Sequence, residues 1–344
     1  MPLSGRYDRQ IQFAPIGDDG QRQISNSCVA VLGCGALGTV AAELLVRAGI
    51  GRVRIIDRDV VEWTNLQRQS LFDETDAEEA RSKAEAATER LRAINSSISI
   101  EPMVIDITPD NICDSLDATD LIVDATDNFA VRFLLNDWSL STTTPWVHGG
   151  CVGASGQVHL FSGRGKPCFR CIVPDSPSAS VVETCDTAGV LGSATHFVAS
   201  LQVTEAIKWL IGERDSVRKG LLSVDLWNNR TRELSLSAFA EEGCPTCRTR
   251  DFEFLNGDRG QSADSVICGR DAVQLNATSS ENIDLKQVAL RWQGAGRVQS
   301  TRFFVRLFPD EQRSLTLFRD GRVIVTGTTE IAEARTLYAR FIGG

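Results

Sequence analysis

The segment Gly33-Cys34-Gly35-Ala36-Leu37-Gly38 stands between an apolar run, Cys28 to Leu32, and an apolar stretch that continues to Ile50. Strand, glycine turn and buried helix in that order let a backbone come close to phosphate groups, whose charge the helix N-terminus favours. A second apolar run, Val53 to Asp57, ends in an acidic residue. At the end of the second strand of such a unit, a carboxylate is placed to accept hydrogen bonds from ribose hydroxyls. The pattern then keeps alternating. Ala77, Ala80, Ala84, Ala87, Leu91 and Ile94 recur at helical spacing and predict a helix from Asp76 to Asn95. Strands follow at Ser97 to Ile105, at Leu121 to Thr126 running into Asp127-Asn128, and at Trp146 to His148, with a helix through Phe133, Leu134 and Trp138 between the last two. Alternation of this kind implies an α/β fold, a Rossmann-like doubly wound and mostly parallel sheet.

The second half reads differently. Gln157 to Phe161, Leu221 to Trp227 and Arg232 to Ser237 predict antiparallel strands continuing the sheet, with a helix from about Ala194 to Ile211 among them. Ser- and Pro-rich residues 174–183 read as a mobile loop. After Cys247 the chain becomes charged, and glycine-containing through Gly260, which suggests a linker. The expected division is a large α/β domain over 1–250 and a small C-terminal α+β domain over 251–344. Strands at Arg302 to Phe308, Ser314 to Phe318 and Arg322 to Thr326, an Asp320-Gly321 turn and a helix carrying Ile331, Ala334, Tyr338 and Phe341 make up the latter. The 344 residues, 42% of them hydrophobic, are enough for one large core and one small one.

A formal charge of -9 argues against a nucleic-acid binder that works by neutralising phosphates. No window has the roughly 18 apolar residues of a membrane span, and residues 1–12 have no signal-like apolar core, so a cytoplasmic protein is expected. Four of the ten cysteines form Cys168-x-x-Cys171 and Cys244-x-x-Cys247. Two such knuckles can supply four thiolates to a tetrahedral Zn2+; with all four positions filled by sulfur, the metal is structural and not catalytic. A redox dithiol and iron-sulfur ligation are the alternatives.

A glycine loop of this form also serves dinucleotide oxidoreductases, but hydride transfer has no need of several cations gathered on a triphosphate. Arg6-Tyr7-Asp8-Arg9-Gln10, the glycine loop, Asp57-Arg58-Asp59, Asn65-Leu66-Gln67-Arg68-Gln69, Lys83 and Thr126-Asp127-Asn128 occur in one order along the chain. In that order, over roughly residues 4 to 247, the sequence resembles the ThiF/MoeB-type adenylyltransferases of thiamine and molybdopterin biosynthesis, relatives of the ubiquitin-activating enzymes. The resemblance implies ATP-dependent adenylylation of a small sulfur-carrier or ubiquitin-like protein ending in Gly-Gly. It also implies nucleotide contacts from Gly33, Gly35, Ala36, Gly38, Asp57, Asn65, Gln67 and Asn128, phosphate contacts from Arg68 and Lys83, and Mg2+ held by Asp127. Asp59 is a candidate for orienting an arginine or the metal. Arg9 would reach the phosphates from the second subunit of a homodimer.

Ala36 stands where a further glycine is frequent in that family, and Cys34 where an apolar residue is frequent. Cys185, leading into Asp186-Thr187-Ala188-Gly189, looks like the family's segment that carries a reactive cysteine; the competing reading is a spectator thiol. Cys28, Cys113, Cys151 and Cys268 read as single structural residues. The terminal Gly343-Gly344 follows a helical pattern and reads as a helix stop more readily than as a carrier tail. A nucleotide-dependent oxidoreductase and an inactive zinc-stabilised scaffold are the competing functions.

Overall fold

The structure, a computed structural model, describes residues 5–175, 188–239, 243–259, 264–267, 271–275, 283–319 and 321–343. Its chain divides into two compact units, 1–260 and 261–344. The first unit opens with the short helices α1 (Asp8–Ile11) and α2 (Gly17–Asn26), followed by β1 (Cys28–Leu32), α3 (Ala36–Ala48) and β2 (Arg52–Ile56). Then come α4 (Glu74–Glu78), α5 (Lys83–Ile94), β3 (Ser99–Met103), α6 (Ile112–Ser115), β4 (Leu121–Asp124), α7 (Phe129–Thr142), β5 (Trp146–Val152) and β6 (Ser155–Phe161). It ends with α8 (Phe169–Ile172), α9 (Gly192–Leu210), β7 (Leu221–Asp225) and β8 (Arg230–Leu234).

The eight strands lie in the order β3-β2-β1-β4-β5-β6-β7-β8. The first five are parallel and the last three antiparallel, the division that the sequence pattern implies. Two apolar clusters cover its faces. One gathers Val29, Val31, Leu45, Ile55 and Leu91; the other gathers Ala30, Leu32, Ile122, Phe133 and Trp146. Strand β1, Cys-Val-Ala-Val-Leu, is buried throughout because alternate residues feed these two clusters, as a central parallel strand requires. Among the described residues no helix is long and apolar enough to cross a membrane.

Two differences from the sequence reading affect the site. The single helix expected over Asp76 to Asn95 is two helices, broken where Ala80 adopts φ +48° and where Val60 bridges Ser82. The apolar period runs through the break, so periodicity alone does not register it. The second difference is at the charged segment after Cys247. Phe254 stacks on Phe133 at 4.7 Å, and its amide donates to Asp137 Oδ2 at 2.9 Å, so the first unit continues to 260 instead of ending at 250.

The second unit holds β9 (Asp264–Ile267), β10 (Ala272–Leu275), α10 (Leu285–Trp292), β11 (Arg297–Ser300), β12 (Phe304–Phe308), β13 (Ser314–Phe318), β14 (Val323–Thr326) and α11 (Ile331–Phe341). They form an antiparallel sheet in the order β11-β12-β13-β14-β10-β9, packed on the two helices through Val273, Trp292, Leu315, Val325 and Leu337. Strands β9 to β11 and helix α10 escape the sequence reading. At its end Gly343 takes φ +101°, and its amide donates to Tyr338 O at 3.3 Å, the expected helix stop. Cys185, Cys268, Asp320, Gly344 and most of the Ser- and Pro-rich loop lie outside the described residues.

Candidate nucleotide site and four-cysteine centre

The neighbours of β1 are β2 on one side and β4 on the other, so the chain order reverses at β1, and past the carboxyl ends of strands at such a switch point open α/β sheets bind their ligands in a crevice. Leu32 pairs in register with Ile56 and with Asp124, which sets Gly33, Asp57 and Ala125 level around that crevice. The glycines have separate reasons. Gly33 takes φ +88°, and a Cβ there would stand 2.8 Å from Ala125 O. A Cβ on Gly38 would meet Gly33 O at 1.9 Å, so that glycine allows the helix to pack on the turn. Gly35 is different: a Cβ would meet nothing nearer than Gln69 Nε2 at 3.8 Å. The open side of Gly35, at the N-cap of α3, is where a ligand has room to approach backbone.

Asp57 accepts from Cys34 N at 2.6 Å with one oxygen and from Asp59 N at 2.7 Å with the other. Each carboxylate oxygen retains a lone pair for a further donor. Burial pushes its carboxyl above the usual range, with the Lys83 charge pulling the other way. Cys34 itself is fully buried and its thiol is pushed well up by burial, which fits a space-filling role.

Lys83 is the least ordinary residue here. It is the first residue of α5, is only 5% exposed, and holds Nζ 3.4 Å from Asp59 Oδ2. A buried ammonium at the positive end of a helix dipole is unfavourable unless anions face it. Its charge reaches Asp57 and the Cys34 thiol, so it looks onto the glycine loop. The break before α5 makes Lys83, which the apolar period places in mid-helix, the first residue of a helix. Beside it, Arg58 pairs with Asp106 and lies 3.9 Å from Asp59, and its guanidinium feels Asp127.

Asn65 is buried and spends Oδ1 on Glu62 N at 3.0 Å, closing a capped turn; Gln67 is exposed, and Arg68 donates to Thr64 O at 2.8 Å. A Cβ on Gly192, the first residue of α9, would lie 3.3 Å from Gln67 O, so this turn sits against the start of that helix. Asp127 and Asn128 are exposed on the turn after β4, where Asn128 caps α7 by accepting from Ala130 N at 2.8 Å.

Beneath that turn lies a buried set that sequence reasoning missed. Asp124, fully buried, accepts from Thr126 N at 3.0 Å and Thr126 Oγ1 at 2.7 Å through Oδ1, and from Arg132 Nε at 3.1 Å and His148 Nδ1 at 2.9 Å through Oδ2. Burial works against the Asp124 charge, but Arg132 and the hydrogen bonds from His148 and Thr126 outweigh it and hold the carboxyl below the usual range. Burial keeps His148 neutral, so the proton it shares with Asp124 belongs to Nδ1.

Arg9 does not join the others within one chain. Helix α1 sits where Tyr7 fills the space beside Gly49 and accepts from Asn95 Nδ2 at 2.9 Å, at the C-terminal ends of α3 and α5. Gly35 and Lys83 stand at the other ends of those helices, about 20 Å away at 1.5 Å per residue, beyond an arginine's reach.

The four knuckle cysteines converge. Their sulfurs all lie within 4.8 Å of one another, with Cys168–Cys171 at 3.8 Å, Cys168–Cys244 at 3.7 Å and Cys171–Cys247 at 3.5 Å. A tetrahedral Zn2+ with Zn–S bonds of about 2.3 Å spaces its sulfurs by about 3.8 Å, so the set fits that ion and is too tight to enclose an iron-sulfur cluster. Burial pushes the Cys168 thiol up, and Cys171 up to about 12, a cost that a bound cation offsets.

Fold and site together define a Rossmann-like α/β protein with a glycine turn at the point where strand order reverses and a cluster of four cysteines that could hold a metal ion. Residues 7–246 match the model of the ThiF family, and the chain belongs to that family. It is 40% identical over 342 residues to the sulfur carrier protein ThiS adenylyltransferase of Bacillus subtilis, covering 99% of this chain and 100% of that protein. To the sulfur carrier protein adenylyltransferase of Thermus thermophilus it is 36% identical over 247 residues, covering 70% of this chain and 90% of the other. The solved structure of E. coli MccB shares the fold, with a TM-score of 0.60 at 22% identity over 70% of this chain and 74% of that one.

Proposed function

We propose that this protein is an adenylyltransferase that uses ATP to activate the C-terminal carboxylate of a small sulfur-carrier protein. Full-length identity to a ThiS adenylyltransferase supports the activity and the class of partner. A carboxylate oxygen of the partner's terminal glycine attacks the α-phosphorus, the bond from that phosphorus to the bridging oxygen breaks, and pyrophosphate leaves with the electron pair. No proton transfer to the attacking group is needed, because a carboxylate is already a nucleophile. The chain's task is to align the phosphates and stabilise charge that grows on the departing pyrophosphate.

Buried Lys83 carries this reading: a cation held dry beside the glycine loop is arranged for a polyanion. The α-phosphate would lie at Gly35 and Ala36, the ribose hydroxyls at Asp57, and the outer phosphates at Lys83 and Arg68, with Asn65, Gln67 and Asn128 lining the approach. Asp127 would hold Mg2+ with the phosphates, with Asp59 nearby; when bound, that ion neutralises phosphate charge. Arg9 would be supplied by the second copy in a homodimer, a role its distance from the crevice of its own chain supports. Zn2+ at Cys168, Cys171, Cys244 and Cys247 would tie the stretch after β8 to the segment after β6.

Cys185 would act only after adenylate formation, if the acyl group passes to a thiol. ATP–pyrophosphate exchange in the presence of a carrier ending in Gly-Gly tests the reading. Exchange should be carrier-dependent, should collapse in Asp127→Ala and should survive in Cys185→Ser; NAD binding without exchange would favour the oxidoreductase instead.

A further inference from the structure

Arg132, Asp124 and His148 are buried, Arg132 8% exposed and Asp124 not at all, and their side-chain hydrogen bonds run to protein atoms. All three converge on the turn that presents Asp127. Thr126 is gripped on three atoms. Its amide and its hydroxyl donate to Asp124 Oδ1, and its carbonyl accepts from Arg132 Nη2. The same Nη2 reaches Gly149 O at 3.2 Å, while Nε of that guanidinium binds Asp124 Oδ2 at 3.1 Å, beside His148 Nδ1. From α9, Gln202 Nε2 donates to the carbonyls of Asp124 at 2.7 Å and Val147 at 3.2 Å, and a Cβ on Gly149 would collide with Gln202. Four elements, β4, β5, α7 and α9, thus fix one residue immediately before Asp127.

Stability alone is a weak reason for such a set. A buried ion pair is often no more stabilising than apolar residues of the same size. What apolar residues could not do is hold both the amide and the carbonyl of Thr126, which determines the direction in which the next side chain leaves the turn.

We propose that Arg132 is a positioning residue, which with Asp124 and His148 sets Asp127 for the metal-bound phosphates. The inference rests on the role given to Asp127 above. The fork of the guanidinium is essential to it, because one planar group must reach the Asp124 carboxylate, Thr126 O and Gly149 O together. A lysine keeps the charge but has no fork.

The test measures Mn2+ binding to the full-length protein with a non-hydrolysable ATP analogue, by water-proton relaxation, alongside nucleotide affinity without metal. Arg132→Lys and Thr126→Val, each one residue removed from the ligand itself, should each weaken Mn2+ binding by about 10-fold, the lower end of the loss seen when a direct hydrogen-bond partner of a metal ligand is removed. Metal-free nucleotide affinity and zinc content should stay within about twofold of the parent, a pattern that general loosening of the fold would not give. Should Arg132→Lys fail to fold, Thr126→Val, on a half-buried residue, carries the test. Mn2+ affinity unchanged in both variants but lost in Asp127→Ala would overturn this inference alone. Mn2+ affinity unchanged in Asp127→Ala would instead remove the role of Asp127, and this inference with it.

Discussion

Lys83 separates function from stability more sharply than any other single residue. Its partner Asp59 has a side chain 41% exposed and stays hydrated without it, and Asp57, on which the Lys83 charge also acts, keeps its two backbone hydrogen bonds in Lys83→Met. Thermal unfolding of that variant should occur no lower than in the parent, while pyrophosphate exchange falls by about 100- to 1,000-fold, the scale of losing one transition-state cation. The glycines divide in the same way. Gly38→Ala would press a methyl group against Gly33 O and should cost about 1 to 3 kcal/mol of stability, read from the denaturant midpoint. Gly35→Ala meets open space, so it should leave stability unchanged and weaken ATP binding, measured by calorimetry. Equal stability loss in both variants would contradict the assignment of Gly35 to the ligand.

Helix α7 carries a second consequence on its buried side. Asp137 lies fully buried beneath the segment that continues past the cysteines, accepting from Phe254 N at 2.9 Å and from Leu255 N at 3.4 Å. Burial pushes its carboxyl up to about 6, well above the ordinary 3.8. A raised acid binds its proton more tightly when folded, so its contribution is full below the unfolded value and is lost as pH climbs from about 4 to 6, by about 3 kcal/mol. Asp137→Asn should remove that fall from a stability profile between pH 4 and 6. A slope identical to the parent's would contradict the assignment. The knuckles at α8 and at residues 244–247 belong to the same scale. One Zn2+ per chain is expected, and its removal by a chelator should lower the unfolding temperature, whereas Cys113→Ser, at an exposed single cysteine, should not.

The sequence makes the doubly wound sheet, the glycine loop, Asp57 and the knuckles legible, because each rests on contiguous spacing. Strand and helix lengths shift by a few residues at their ends. The break before α5 was not legible, since Ala80 and Ala84 continue the apolar period across it while Val60 and Val61 take over the backbone pairing. Nor was the buried set under Asp127. Asp124 and His148 meet only because β4 and β5 pair in that register, and Arg132 joins them from the following helix. Phe254 reads as part of a charged linker until its stacking on Phe133 is seen.

At the scale of the molecule, charge is unevenly spread between the two units. Residues 1–260 carry 25 basic and 36 acidic side chains, for -11, and residues 261–344 carry 11 and 9, for +2, which together give the -9 of the whole chain. The alignment to the Bacillus subtilis relative spans both units, so the second belongs to the common architecture of the pair. The first unit holds every residue assigned to the crevice, yet Arg9 stands at the wrong end of α3 and α5 to serve its own chain. Two copies exchanging Arg9 would complete two crevices, an arrangement natural to twofold symmetry.

Mixing two inactive variants, Arg9→Ala and Lys83→Ala, tests that arrangement directly through ATP–pyrophosphate exchange. After unfolding and joint refolding at equal amounts, random pairing puts one intact crevice in each mixed dimer, so exchange should return to about a quarter of the parent's. Exchange that stays at the level of the separate variants, with mixed dimers demonstrably present, would contradict a crevice built from two chains.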